Sequence, residues 1–145
     1  TTSVSVTVTA AQSTYSIWAA DSAQGLSVGV NDGPNDDPDH DGISNLMEFV
    51  LGGAPMVSSR AILPALTKSD GAWVFEYERS DLSLAPATTQ VVEYGGDLTG
   101  WTAVTIPATS GRSVTITPGS PSDHVKVTIP TPGAWTFARL KVTQP

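Results

Sequence analysis

The chain changes its hydrophobic rhythm twice. From Thr1 to Thr9 it alternates strictly, with Val4, Val6 and Val8 on one face and Ser and Thr on the other. A period of two predicts an edge or half-buried strand, or the tail of a preceding domain. From Ser13 the period lengthens. Tyr15, Ile17, Trp18, Ala19, Ala20 and Ala23 predict a helix from Thr14 to about Gln24, capped by Ser13 and closed by Gly25. At helical spacing, Trp18 reads as a packing anchor. Ser44 to Leu51 predicts a second short helix, with Leu46, Phe49 and Val50 as its buried stripe and Gly52-Gly53 as its stop. The two helices are expected to pack together.

After a connector from Ala54 to Ala65, broken by Pro55 and Pro64, the alternation returns. Ala72–Arg79 places Trp73, Phe75 and Tyr77 on one face and Val74, Glu76 and Glu78 on the other. Ser69-Asp70-Gly71 supplies a turn that joins it to Leu66–Lys68 as a hairpin. Further strands are predicted at Thr88–Tyr94, Trp101–Ile106, Ser113–Thr117, His124–Ile129 and Trp135–Val142, punctuated by Gly95-Gly96, Pro118-Gly119, Pro121 and Pro132-Gly133. About seven short strands at this spacing predict a mostly β fold, a β-sandwich. The expected organisation is a leading strand or foreign tail over 1–12, a helix–loop–helix segment over 13–60 and the sandwich over 61–145, with 13–145 forming one unit.

Between the helices lies Asp37-Pro38-Asp39-His40-Asp41-Gly42-Ile43-Ser44-Asn45-Leu46-Met47-Glu48. The spacing D-x-D-x-D-G, with Asn at place nine and Glu at place twelve, is that of the EF-hand calcium loop. Asp37, Asp39 and Asp41 alternate so that their carboxylates converge. Gly42 permits the sharp turn. Ile43 would give its backbone carbonyl, Asn45 a side-chain oxygen or a bridging water, and Glu48 a bidentate carboxylate. Without a cation four carboxylates in twelve residues repel one another, so a calcium ion (Ca2+) is expected. Magnesium prefers to keep its waters, and zinc is disfavoured because there is no Cys and His40 sits at a non-ligand place. The stretch before the loop, Val30 to Asp36, is turn chemistry and not the entering helix of a true EF-hand. Its Asp32, Asn35 and Asp36 are candidates for further ligands or a second ion.

Composition narrows the setting. The 145 residues are 39% hydrophobic and only 14% charged, so Ser, Thr, Gly and Pro make up much of the surface. This points to a secreted, β-rich protein. A net charge of −7 with seven Lys and Arg residues argues against nucleic acid and against an anionic membrane surface. Cys is absent, so calcium is the obvious staple. No segment reaches the roughly 18 apolar residues of a membrane span. The missing initiator Met and signal peptide read as an excised piece of a larger protein.

The order of motifs is familiar. A Tyr/Trp helix (Tyr15–Trp18) is followed by Asp37–Gly52, by a strand ending aromatic-to-Arg (Phe75–Arg79), by the turn Asp97-Leu98-Thr99-Gly100-Trp101, and by the strand Phe137-Ala138-Arg139-Leu140-Lys141-Val142. Over about residues 13 to 145 the chain resembles the C-terminal modules of large secreted proteins from Planctomycetes and Verrucomicrobia. Its lone loop resembles dockerin and thrombospondin type 3 repeats, with His40 where Gly often follows the second Asp. The resemblance implies secretion, a modular parent chain with a polysaccharide-degrading or surface domain, and calcium in a structural role.

Catalytic chemistry is harder to place. The histidines are His40, in the loop, and His124, on a sandwich strand. There is no G-x-S-x-G elbow and no phosphate-cradling glycine loop. Glu76 and Glu78 fall about 7 Å apart on one strand face, which reads as a solvated surface and not a glycosidase pair. A non-enzyme is expected. Sugar binding by exposed aromatics is the leading role, with Trp101, Trp135 and Tyr94 as candidates. In the last strand, a bulge near Ala138 would turn Phe137 into the core; without one, Trp135 and Phe137 face out. The expectation is a monomeric, calcium-stabilised, non-catalytic accessory module that binds polysaccharide and holds a partner domain near it. The alternative is a spacer or a surface-anchoring or sorting module with no sugar site. A dockerin-like protein-binding module is disfavoured by the single loop.

Overall fold

The computed structural model describes residues 12–130 and 136–145. The strand expected over Thr1–Thr9 and the candidate Trp135 lie outside the described residues. Seven strands form two antiparallel sheets: β1 (Ala65–Ser69), β2 (Ala72–Ser80), β3 (Thr89–Gly95), β4 (Thr102–Thr105), β5 (Val114–Thr117), β6 (Ser122–Ile129) and β7 (Phe137–Thr143). The first sheet runs β1-β2-β6-β5 and the second β4-β3-β7. The fold is a β-sandwich with a small helical segment at its N-terminal side.

Alternation decides which side chains meet between the sheets. Phe75 pairs with Val127, Tyr77 with Val125 and Arg79 with Asp123, while Val92 stands between Val104 and Leu140. Val92, Val125, Val127 and Ile129 are wholly buried. The Tyr77 hydroxyl spans the sheets to Gln90 Oε1 at 2.9 Å, and burial raises the phenol far above its ordinary range. The Gln90 amide in turn reaches Ser83 Oγ and Thr88 Oγ1. At the same end Arg79 gives Nη2 to Asp123 at 2.7 Å and Nη1 to the Pro107 carbonyl at 2.9 Å. Val74, on the opposite parity, is buried as well.

The hairpin β1–β2 turns at Asp70-Gly71, both with positive φ (49° and 80°). Two left-handed residues match the twist of a two-residue hairpin, which favours Asp-Gly there.

The helical segment is shorter than its pattern suggests. Helix α1 covers Thr14–Ala19, with Ser13 Oγ accepting the Ser16 amide. It does not continue to Gln24. Asp21 takes the Ala23 amide at 2.9 Å and starts a separate 3-10 turn over Ser22–Gln24. A short acidic side chain competing for the backbone interrupts the helix. Helix α2 covers Asn45–Leu51 with Ser44 at its N-cap, and left-handed Gly52 ends it. Tyr15 and Trp18 both meet Phe49, with ring centroids 5.6 and 5.3 Å apart. α2 also packs on β2 and β7, so Tyr15, Ala19, Phe49, Val50 and Leu51 belong to the same core as Phe75 and Val92. Among the described residues no helix is long and apolar enough to cross a membrane.

Candidate metal centre

The acidic loop is wound around its own carboxylates. The Asp41 amide points at Asp37 Oδ1 (3.2 Å) and Asp39 Oδ1 (3.1 Å), the Gly42 amide at Asp37 Oδ2 (2.9 Å) and the Ile43 amide at Asp41 Oδ1 (2.8 Å). Gly42 makes the turn at φ +89°, where a Cβ would be strained. One carboxylate oxygen from each of Asp37, Asp39 and Asp41 then lies within 4.8 Å of the others, the one such acidic group among the described residues. The Ile43 side chain is buried.

Asp41 is fixed from outside the loop. Its Oδ2 accepts the Ser59 amide at 2.6 Å and its carbonyl accepts Arg60 Nε at 2.8 Å. The Ser59 amide chiefly, with the Ile43 amide and the Arg60 charge, holds the Asp41 carboxyl below the usual carboxylate range. Nothing in the sequence marked Ser59 or Arg60, because the chain folds back from beyond α2 to reach Asp41.

Glu48 is the unusual member. Its side chain is 1% exposed, and neither carboxylate oxygen has a hydrogen-bond partner. The Ser59 hydroxyl lies near, but it donates to the Val57 carbonyl at 3.0 Å. Burial first, then the charges of Asp39, Asp41 and Asp37, push the Glu48 carboxyl up to about 7. Asp39 Oδ2 is buried and unpartnered too. Buried acceptors are nearly always satisfied, and an orphaned carboxylate among like charges is costly. Glu48 stands outside the tight Asp37–Asp39–Asp41 triangle, at the place where a bidentate ligand closes such a loop. An all-oxygen donor set without Cys fits a hard divalent cation, with calcium the best match to the ligand number.

Asn45 does more than its place in the loop suggests. It is fully buried, and its amide nitrogen donates to the Asn31 and Gly33 carbonyls at 2.9 and 3.0 Å. Its Oδ1 has no partner. The Asn45 and Leu46 amides reach the Asp36 and Pro34 carbonyls, and the Tyr15 hydroxyl reaches the Asp32 carbonyl at 2.9 Å. Burial pushes that phenol up to about 12. The stretch before the loop is thus pinned by both helices. One oxygen each of Asp32 and Asp36 is engaged by a loop amide, from Gly29 and Gly33.

The aromatic candidates separate. Tyr94 shares the inward parity of Val92 and packs against the core, so it is not on a ligand face. Trp101 lies just before β4 and is half-buried, with the Arg139 guanidinium 4.2 Å from its ring centroid. The β3–β7 register runs unbroken from Gly95–Phe137 to Thr89–Thr143, so no bulge turns Phe137 inward, and its side chain is 45% exposed.

Glu76, Glu78 and His124 line a groove of about 580 Å3 between the first sheet and the 51–65 segment. His124 Nδ1 is 2.8 Å from Glu78 and Nε2 is 3.6 Å from Glu76. The Glu78 hydrogen bond, chiefly, raises the imidazole's pKa. Among the described residues, both ring nitrogens face carboxylates, an ion-pair network on the sheet surface. No family model matches the chain, and neither does any curated protein or solved structure.

Proposed function

We propose that this chain is a non-catalytic, calcium-stabilised accessory module of a secreted protein, which binds carbohydrate and holds a partner domain near its polysaccharide. The observation that carries the calcium part is Glu48, fully buried with both oxygens unpartnered beside three convergent aspartates. Asp37, Asp39, Asp41 and Glu48 would hold the ion through carboxylates, with Ile43 and Asn45 as the further oxygen donors of the loop. The ion would offset the repulsion among these groups and tie the loop to α2, which is itself part of the core. Its role is structural, because every ligand place is filled from the chain.

The carbohydrate part rests on Trp101 and on Phe137, which is exposed on the outer face of the second sheet. A spacer or anchoring module is the second reading, and the inward position of Tyr94 favours it. The calcium reading is tested by thermal unfolding with calcium and with excess EDTA, in the native chain and in Asp39→Ala. Calcium should raise the melting temperature of the native chain, EDTA should lower it, and Asp39→Ala should respond to neither. A melting temperature of the native chain that EDTA leaves unchanged would overturn it.

A further inference from the structure

We infer that the outer face of the β4-β3-β7 sheet is the sugar-binding face and that it takes a carboxylate-bearing polysaccharide. This rests on the carbohydrate reading above and deepens it to a ligand class. The outward positions follow from the register. β3 presents Thr89, Val91, Glu93 and Gly95, β4 presents Ala103 and Thr105, and β7 presents Phe137, Arg139, Lys141 and Thr143. The β3–β4 ladder ends at the Tyr94–Thr102 pair, and Trp101 stands one residue before it. The Arg139 guanidinium, on the far strand, lies over the Trp101 indole 4.2 Å from its centroid, while Gly95 makes room for the Gly100 carbonyl, which a Cβ there would strike. The result is a guanidinium stacked on the indole, with Phe137 exposed on the same face of the sheet.

The charge of this face opposes that of the chain. The strands' outward positions carry two cations and one carboxylate, on a protein of net charge −7. Glu93 is divided between the two cations. Its Oε2 takes Arg139 Nε and Nη2 at 2.7 Å, while Lys141 Nζ stands 3.7 Å from Oε1, beyond hydrogen-bond distance. Glu93 is 13% exposed, whereas Arg139 and Lys141 are 55% and 58% exposed. The carboxylate is therefore the hidden member and the cations are the ones presented to solvent. Lys141 also borders a groove of about 310 Å3 with Thr89, Thr143 and Ala103. A sugar ring would lie with its C–H face on the exposed Phe137 ring, its hydroxyls toward the Thr side chains and its carboxylate on Lys141 and on the Arg139 guanidinium that Trp101 holds in place.

The test is affinity electrophoresis of the calcium-loaded chain in native gels containing carboxymethyl cellulose or hydroxyethyl cellulose, which share a backbone and differ in charge. We expect retardation by the carboxymethyl polymer and much less by the neutral one. The effect should weaken with salt and fall about tenfold in affinity in Arg139→Gln and in Trp101→Ala. Unfolding curves identify either variant that fails to fold, and Lys141→Gln provides a third. Equal retardation by both polymers would overturn the charge preference and leave the carbohydrate reading standing. Retardation by neither would overturn both. Equal retardation by dextran sulfate and by a single-stranded oligonucleotide would mean a general polyanion patch and overturn the inference.

Discussion

Replacing Glu48 by Gln should have opposite effects on stability with and without calcium. Gln has nearly the same volume and shape, so the packing of α2 is preserved and only charge and coordination change. Glu48 is 1% exposed, and its carboxyl is pushed up to about 7. At about pH 8 the calcium-free native chain therefore holds an ionised, unpartnered carboxylate beside Asp37, Asp39 and Asp41. A neutral amide removes that repulsion and brings a donor to a region where Asp39 Oδ2 lacks one. Relieving one such buried group is worth about 1–3 kcal/mol, so in EDTA the variant should melt above the native chain. In calcium the order reverses. For a structural calcium site with Kd on the order of 10⁻⁴ M, about 10 mM calcium is about 100 Kd and stabilises by about 2.7 kcal/mol. At about 3 °C per kcal/mol for a chain of this size, the native protein should gain about 8 °C. The variant, without its bidentate ligand, should lose most of that gain. Differential scanning calorimetry at about pH 8 in calcium and in EDTA reads both signs. Destabilisation of the variant by the same amount in both conditions would make Glu48 a packing residue and refute the reasoning.

Two other substitutions probe the frame. Asp123→Asn leaves the buried Arg79 charge unpaired and should cost about 3 kcal/mol near neutral pH, read from urea unfolding. Arg79 holds the Asp123 carboxyl below its ordinary value. The native pair thus contributes fully above the unfolded value of about 3.9 and is lost as pH falls through the folded value; the variant should lack this part of the acid dependence. Asn45→Ala cuts the bonds to the Asn31 and Gly33 carbonyls and should cost about 1–3 kcal/mol. The lost protection should concentrate over residues 27–36 in hydrogen exchange, and an even loss across the chain would contradict the pinning role.

Much of the frame was legible because it rests on local rules. Alternation gave the strands within a residue or two, since a side chain's face in a strand is set by parity alone. The hairpin at Asp70-Gly71 followed from turn chemistry, and Gly52 ended α2 where a left-handed residue was needed. The extent of α1 was misjudged at Asp21, where hydrophobic spacing continued but a side-chain cap redirected the backbone. Tyr94, a candidate for an exposed sugar-binding ring, shares the face of Val92 and packs inward, which only the pairing of the two sheets decides.

The sequence by itself determined the acidic loop, the sandwich class and the parity of each strand, because these depend on spacing between near neighbours. Only the tertiary structure decided what those elements meet. Ser59 and Arg60 reach Asp41 by a fold-back after α2. Asn45 faces the upstream loop because both helices close on it. Arg79 finds Asp123, and Trp101 finds Arg139, because sheet order and register bring residues 38 to 44 positions apart into contact. Such contacts carry no local signature, since their energy comes from burial and charge pairing that exist only once the sheets have assembled.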